Sequence, residues 1–235
     1  MFACCYSQAQ IVKVTDRVKV KIKKRSKQFH QIHPEFPKDS LLYIGTLEGN
    51  AKNVEILYEF LKGQTNEMKG NFYEMTHLTR KDGKYKAEWK IYYGSDSLGM
   101  VNYNLYPKNE VYFFSDFRKA KIFFLNDERL ELPKMTYIKI KLDTNEELRF
   151  RTGVSKRTEN IIKGEKSNVP LFIGDFDKKI SLNDVLLTVL AGGLIGVFGE
   201  VVLVYSDKTC RFIQPGSAHF FLEVFKEQTM IILSE

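Results

Sequence analysis

Apolar and basic residues alternate near the start of the chain. The apolar positions are Val12, Val14, Val18, Val20 and Ile22, and the basic residues interleaved with them are Lys13, Arg17, Lys19, Lys21 and Lys23. A repeat of two residues is typical of a β-strand, because successive side chains point to opposite faces of the sheet. The pattern therefore predicts a half-buried strand that carries a row of cations along its exposed face.

Between residues 41 and 93 the pattern changes from strand to helix and back to strand. The predicted order is a strand over 41–47, a helix capped by Asn50 and ending near Gly63 or Gly70, and strands over 72–80 and 85–93. The helix carries apolar residues at i, i+3, i+4 and i+7, which form one face, at Val54, Leu57, Tyr58 and Leu61. The two later strands are joined by a Lys-Asp-Gly-Lys segment, a strong signal for a hairpin turn.

This β-α-β-β order resembles small modules of bacterial cell-envelope proteins. The resemblance covers residues 41–93 and rests on the order of the elements alone. It implies an exported protein, either periplasmic or associated with the outer membrane, and it implies no catalytic residue.

Most of the remaining chain predicts short strands separated by turns. Residues 101–151 predict almost continuous strand, the tail predicts strands over 210–213, 218–225 and 230–233, and residues 214–217 predict a turn. We therefore expect an α+β fold dominated by antiparallel sheets, with one β-α-β-β unit and one glycine-rich apolar helix.

That helix is predicted from the most hydrophobic part of the chain, residues 185–205, where Glu200 is the single charge. The segment Ser181-Leu182-Asn183-Asp184 has the form of a capping box, so the helix is expected near residues 182–199. Its small residues, Gly192, Gly193, Gly196 and Gly199, have a spacing that lets two helices approach closely. Either this helix is buried core, followed by a core strand, or it contacts a membrane or a protein partner, which includes a second copy of the chain.

The N-terminal residues are uncharged and end in Ser7 and Ala9, small residues of the kind that precede a signal-peptidase site. They predict the remnant of a signal peptide, and an acylated Cys4 or an ordinary frayed terminus are the alternatives. The expected organisation is a signal remnant over 1–9, a β-rich α+β domain over 10–152, a polar linker or loop over 153–168, and a C-terminal region over 169–235.

The net charge of the chain is concentrated in one segment. Residues 10–38 contain nine basic and two acidic residues, a net charge of +7, and the whole chain also has a net charge of +7. The candidate anion-binding residues are Lys13, Arg17, Lys19, Lys21, Lys23, Lys24 and Arg25. They either block edge-to-edge strand pairing or bind an anionic surface such as lipid headgroups or nucleic acid.

Signatures of catalysis are missing from the sequence. It contains no phosphate-binding loop, no dinucleotide-binding glycine motif, no His-Glu-x-x-His zinc motif and no nucleophile elbow. The three cysteines, Cys4, Cys5 and Cys210, have no zinc-type spacing, so we expect neither a metal nor a cofactor.

Together these patterns predict an exported, envelope-associated binding or structural protein. It would contact a membrane or a partner through the glycine-rich helix, and an anionic lipid or another acidic surface through the basic strand. The alternatives are a cytoplasmic nucleic-acid-binding protein that uses the same strand, and a hydrolase whose site is assembled from residues distant in sequence.

Overall fold

The computed structural model describes residues 9–19, 21–22, 28–152, 159–165, 170–174, 211–213 and 215–228. Within these residues the protein has a strand-dominated α+β fold, as the sequence predicts. The chain forms two compact units, residues 1–105 (unit 1) and 106–235 (unit 2). The predicted glycine-rich helix over 182–199 and residues 1–8 of the predicted signal remnant lie outside the described residues.

Unit 1 is built on a five-stranded sheet with the strand order β1-β3-β5-β4-β2. Its strands are β1 (Ala9–Thr15), β2 (His30–Gln31), β3 (Leu42–Ala51), β4 (Phe72–Lys81) and β5 (Lys84–Tyr93). The short β2 runs parallel to β4, and the other neighbours are antiparallel. The β-α-β-β part of the prediction is confirmed, with β3 longer than expected.

Helix α1 (Val54–Glu67) connects β3 to β4 and begins at Asn53, whose side chain accepts a hydrogen bond from the Glu55 amide at 2.8 Å. The predicted cap, Asn50, lies inside β3, because the strand continues to Ala51. The predicted apolar face of α1 is buried. Leu57 and Leu61 lie so close to Gly49 of β3 that a Cβ there would be within 3.3 Å of both side chains.

The two faces of the sheet in unit 1 have separate cores. On the α1 side Trp89 stacks on Tyr73 with 4.1 Å between ring centroids, and Phe29 stacks on Tyr73 at 4.9 Å. On the other side Phe72 and Tyr92 pack with residues of the 32–41 segment and with Leu98 of helix α2 (Asp96–Asn104). Helix α2 corrects part of the prediction of almost continuous strand over 101–151, and its N-cap is Ser95.

The described residues of unit 2 form two packed sheets and one helix. The first sheet has the order β11-β10-β7-β8 and the second has the order β13-β12-β6-β9-β14. Their strands are β6 (Glu110–Phe114), β7 (Lys121–Leu125), β8 (Glu128–Leu132), β9 (Thr136–Lys141), β10 (Glu147–Arg151), β11 (Asn160–Lys163), β12 (Leu171–Gly174), β13 (Arg211–Phe212) and β14 (Lys226–Glu227). Alternate residues of both sheets form one apolar cluster that includes Phe113, Phe123 and Phe150.

Helix α3 (Pro215–Leu222) covers the outer face of the second sheet of unit 2, and it replaces the turn predicted over 214–217 and much of the strand predicted over 218–225. Pro215 suits the first turn of a helix, where a missing amide proton costs nothing. Every residue from Gly216 to Phe221 is buried, and such continuous burial leaves no apolar period that distinguishes a strand from a helix.

The polar segment 153–168, predicted to be a linker, contains β11, which pairs with β10 through residues such as Leu148 and Ile162. The buried side chain of Ile162 joins the core of unit 2. The structure divides the chain instead between Leu105 and Tyr106, so the residues on both sides of this polar segment belong to one unit.

Candidate anion-binding surface

Four of the candidate cations lie in the described part of the chain. Lys13 belongs to β1, and Arg17, Lys19 and Lys21 follow it; all four side chains are exposed. We call these four residues the cationic ribbon. Lys23, Lys24 and Arg25 lie outside the described residues, as do Gly192, Gly193, Gly196 and Gly199.

Strand β1 positions the start of the cationic ribbon at one edge of the sheet in unit 1. We call this edge, which is formed by β1, the residues after it and the adjacent β3, the rim. It pairs antiparallel with β3, with Lys13 opposite Glu48 and Thr15 opposite Thr46. The strand ends at Thr15, because Asp16 adopts a left-handed backbone conformation with φ of 54°. The chain nevertheless stays beside β3, since the Val18 amide donates a hydrogen bond to the Ile44 carbonyl at 2.8 Å.

Gly45 of β3 allows this close approach. A Cβ at this position would lie 3.1 Å from the Thr15 carbonyl oxygen and 3.3 Å from the Arg17 Cα, both of them backbone atoms. Its φ of +156° is also a conformation that residues with a side chain rarely adopt. The pairing of β3 with β5 shifts register between Tyr43 and Gly45, so the glycine lies at a bulge.

The prediction that the valines of this segment are buried is wrong for the two whose exposure is described. Val14 is 40 % exposed and Val18 is 47 % exposed. The reason is that β1 is the outermost strand of the described sheet and ends at Thr15, so the alternation beyond it does not correspond to two faces of a strand. Val14 and Val18 are therefore exposed to solvent together with the four cations of the ribbon.

Two other lysines of unit 1 form ion pairs with carboxylates, unlike the cations of the ribbon. Lys38 pairs with Glu74, and Lys86 pairs with Glu48, the residue opposite Lys13. Among the described residues, no carboxylate forms an ion pair with a residue of the cationic ribbon. Within the described part of the protein, the four cations of the ribbon are therefore not held in ion pairs.

The histidines that could suggest catalysis or metal binding occupy packed positions. His30 stacks on Phe72 with 4.9 Å between ring centroids, and its Nε2 is 3.1 Å from Gln28 Oε1. Burial lowers the pKa of His30 to about 4, against the opposing effect of the Asp96 carboxylate. In unit 2 the buried His219 stacks on Tyr106 at 3.8 Å.

No metal-binding group of three or more His, Cys, Asp or Glu side chains is present among the described residues. His30 and His33, which are close in sequence, make different contacts: the His33 amide donates to Asn102 Oδ1 at 2.7 Å, and its Nδ1 accepts from the Glu35 amide at 3.2 Å.

Val14, Val18 and Leu42 are exposed at this rim, and for the two valines the sequence predicted the opposite. The signal that could have indicated this is Asp16, a residue that tolerates turn conformations and lies between Val14 and Val18. Leu42, which is 44 % exposed, is the first residue of β3 and carries no comparable signal.

Helices that are both long and apolar enough to cross a bilayer do not occur among the described residues. No protein-family model matches the chain, and no curated protein or solved structure is significantly similar to it.

Proposed function

We propose that this chain is a binding protein that attaches to an anionic surface through the cationic ribbon. The observation that carries the proposal is the exposure of four cations along one short segment, without a carboxylate partner among the described residues. Clustered exposed cations create a local positive potential, which attracts phosphate-rich surfaces and raises the rate of association. The fold holds the first part of this segment beside β3, through the β1–β3 pairing and the hydrogen bond from the Val18 amide.

The proposed location is the bacterial cell envelope, and the proposed surface is anionic lipid. This part of the proposal is supported by the sequence: residues 1–9 are uncharged and end in small residues, and residues 185–205 are nearly free of charge. The glycine-rich run would add a second contact with the membrane or with an envelope protein. A basic segment and an apolar segment in the same chain suit attachment to a bilayer, because one weak contact alone rarely holds a protein there.

The test replaces the cationic ribbon by neutral side chains of similar size in the full-length chain: Lys13→Gln, Arg17→Gln, Lys19→Gln and Lys21→Gln. Each cation near an anionic bilayer contributes about 1 kcal/mol. We therefore expect the combined variant to bind vesicles of anionic lipid at least about a hundredfold more weakly than the unmodified chain at low salt. Vesicles of zwitterionic lipid should show little difference.

The matched control is Lys81→Gln with Lys84→Gln, which removes two exposed cations at the tip of the β4–β5 hairpin in the same unit. The control should retain vesicle affinity within about twofold, since these cations lie on another part of the surface. Equal binding by the ribbon variant and the unmodified chain, to vesicles and to polyanions alike, would refute the proposed function.

Nucleic acid is the second candidate, and the same four cations favour it. Proteins that bind single strands combine cations with exposed aromatic side chains on which bases stack. Every Phe, Tyr and Trp side chain whose exposure the structure describes is at least partly buried. We therefore expect weak, sequence-independent and strongly salt-dependent binding to DNA or RNA. A titration with single-stranded and double-stranded oligonucleotides at two salt concentrations would measure it.

A further inference from the structure

Exposed apolar side chains are concentrated at the rim that carries the cationic ribbon. The large apolar residues that are exposed in the described part of the chain are Val14, Val18, Leu42 and Val101. The first three belong to this rim. Val14 pairs with Leu47 of β3, Val18 is hydrogen-bonded to Ile44, and Leu42 precedes Ile44 by two positions in the same strand.

A single exposed valine or leucine is ordinary on a protein surface. Three of them beside four exposed cations form a surface of mixed character, with charge and apolar area along the same edge. The surface of an anionic bilayer has the complementary composition, because phosphate groups lie directly above an apolar layer. A nucleic acid offers phosphates without an accessible apolar layer, and it would leave the valines in contact with water.

We infer that Val14, Val18 and Leu42 insert into the boundary between headgroups and acyl chains of an anionic bilayer, while the cationic ribbon contacts the lipid phosphates. This inference rests on the proposed function and adds the apolar contact to it. Unit 1 contacts the bilayer with the edge of its sheet, because the side chains involved lie along the rim. Lys13 and Val14 are adjacent in β1 and therefore point to opposite faces, so both faces of the rim reach the bilayer.

The first experiment keeps every cation and removes the apolar contact. The variant Val14→Ser with Val18→Ser should bind anionic vesicles about tenfold more weakly than the unmodified chain, because two side chains lose their transfer to an apolar environment. The loss should persist at high salt, where the contribution of the cations is screened. The matched control is Val101→Ser on α2, which is 50 % exposed and should leave the affinity unchanged.

The second experiment measures directly how deeply position 18 enters the bilayer. An environment-sensitive fluorophore is attached to Val18→Cys in a full-length chain whose Cys4, Cys5 and Cys210 are replaced by serine. Anionic vesicles should shift the emission to shorter wavelength and protect the dye from a water-soluble quencher. The same dye at Lys84→Cys, on the far hairpin, should report water in both conditions.

The outcomes separate this inference from the proposed function. Vesicle binding that depends on the cationic ribbon but not on the valines, with a dye that stays in water, would overturn the insertion and leave the anion-binding function standing. Vesicle binding that depends on neither the valines nor the cations would overturn both the insertion and the proposed function. Loss of affinity in the serine variant together with a shifted and protected dye would support both.

Discussion

His30 is a titratable side chain that the fold holds in an unfavourable environment for its charged form. It stacks on Phe72, and Gly99 of α2 lies so close that an added Cβ would be 2.5 Å from the His30 Nε2. Burial is the main cause of its low pKa of about 4, compared with 6.5 for an unperturbed histidine. Folding of unit 1 is therefore coupled to the protonation of this residue.

We expect the stability of unit 1 to decrease as the pH falls from about 6.5 to about 4. Above pH 6.5 the imidazole is neutral in both states and its titration contributes nothing. Between the two pKa values only the unfolded state binds the proton, so the free energy of unfolding falls by up to about 3 kcal/mol. Below about pH 4 the loss from this residue is complete.

The measurement is urea unfolding at several pH values, followed by the fluorescence of Trp89, which is the only tryptophan of the chain and is fully buried in unit 1. In the His30→Gln variant, the free energy of unfolding should change less with pH in this range. His77→Gln, which changes an exposed histidine on β4, should leave it unchanged. An unaltered slope in the His30 variant would show that other groups cause the decrease.

At the level of elements, the contact between β1 and β3 fixes the position of the cationic ribbon. Gly45 lets the Thr15 and Arg17 backbone lie directly on β3, on either side of the left-handed conformation of Asp16. The proposed binding surface therefore depends on the geometry of a strand pair as well as on its charges.

We expect Gly45→Ala to displace the segment after β1 and to weaken binding to anionic vesicles, although every cation is retained. The backbone atoms at 3.1 and 3.3 Å would have to shift by a few tenths of an ångström away from β3, and the φ of +156° adds strain. Stability of unit 1, followed by Trp89 fluorescence, should fall by at least about 1 kcal/mol. Vesicle affinity is measured under conditions in which both proteins are folded.

Gly63→Ala is the matched control, because this exposed glycine lies inside α1 and a Cβ there meets no atom within 4 Å. Alanine favours a helix over glycine by up to about 1 kcal/mol, so this variant should be more stable and should bind normally. Normal binding by Gly45→Ala would mean that the cations act without a fixed arrangement.

Elements with a clear period were predictable from the sequence. The apolar face of α1 repeats at helical spacing, and the hairpin β4–β5 turns at Asp82 and Gly83, which both adopt positive φ values of 51° and 70°. Such turns match the twist of antiparallel strands. Helix α3 was not predictable, because its apolar residues are buried on all sides and show no period.

The candidate site was predictable only in part. The exposure of the cations followed from the cost of burying charge. The exposure of Val14 and Val18 depends on where β1 ends and on which strand is outermost, and both are properties of the folded sheet rather than of local alternation. Apolar and basic residues do alternate in the sequence, but the burial of Val14 and Val18 that was predicted from this alternation is wrong.

For the molecule as a whole, the charge of the chain is carried by its N-terminal segment. Residues 10–38 have the same net charge as the entire chain, so the remainder is neutral overall. A molecule with this distribution is oriented by the field of an anionic surface before contact, and the effect decreases with ionic strength over a Debye length of about 8 Å at physiological salt.

The pairing of β12 with β13 has a consequence for the long connection between them. Gly174 and Arg211 are direct partners in this antiparallel pair, so residues 175–210 begin and end at adjacent positions of one sheet. A two-residue Asn-Gly turn can join such strands, and the entropy of closing a loop changes only slowly with its length. We expect a chain in which this turn replaces residues 175–210 to keep unit 2 folded.

Hydrogen exchange of the β12 and β13 amides measures whether unit 2 of the shortened chain is folded, with the unmodified chain as reference. Protection similar to the reference means that the glycine-rich run is not part of the core of unit 2, and vesicle binding by the shortened chain then shows what the run adds to membrane contact. Lost protection means that the fold of unit 2 requires it. If protection is retained, the two paired strands provide a defined point of the sheet at which other sequences can be inserted.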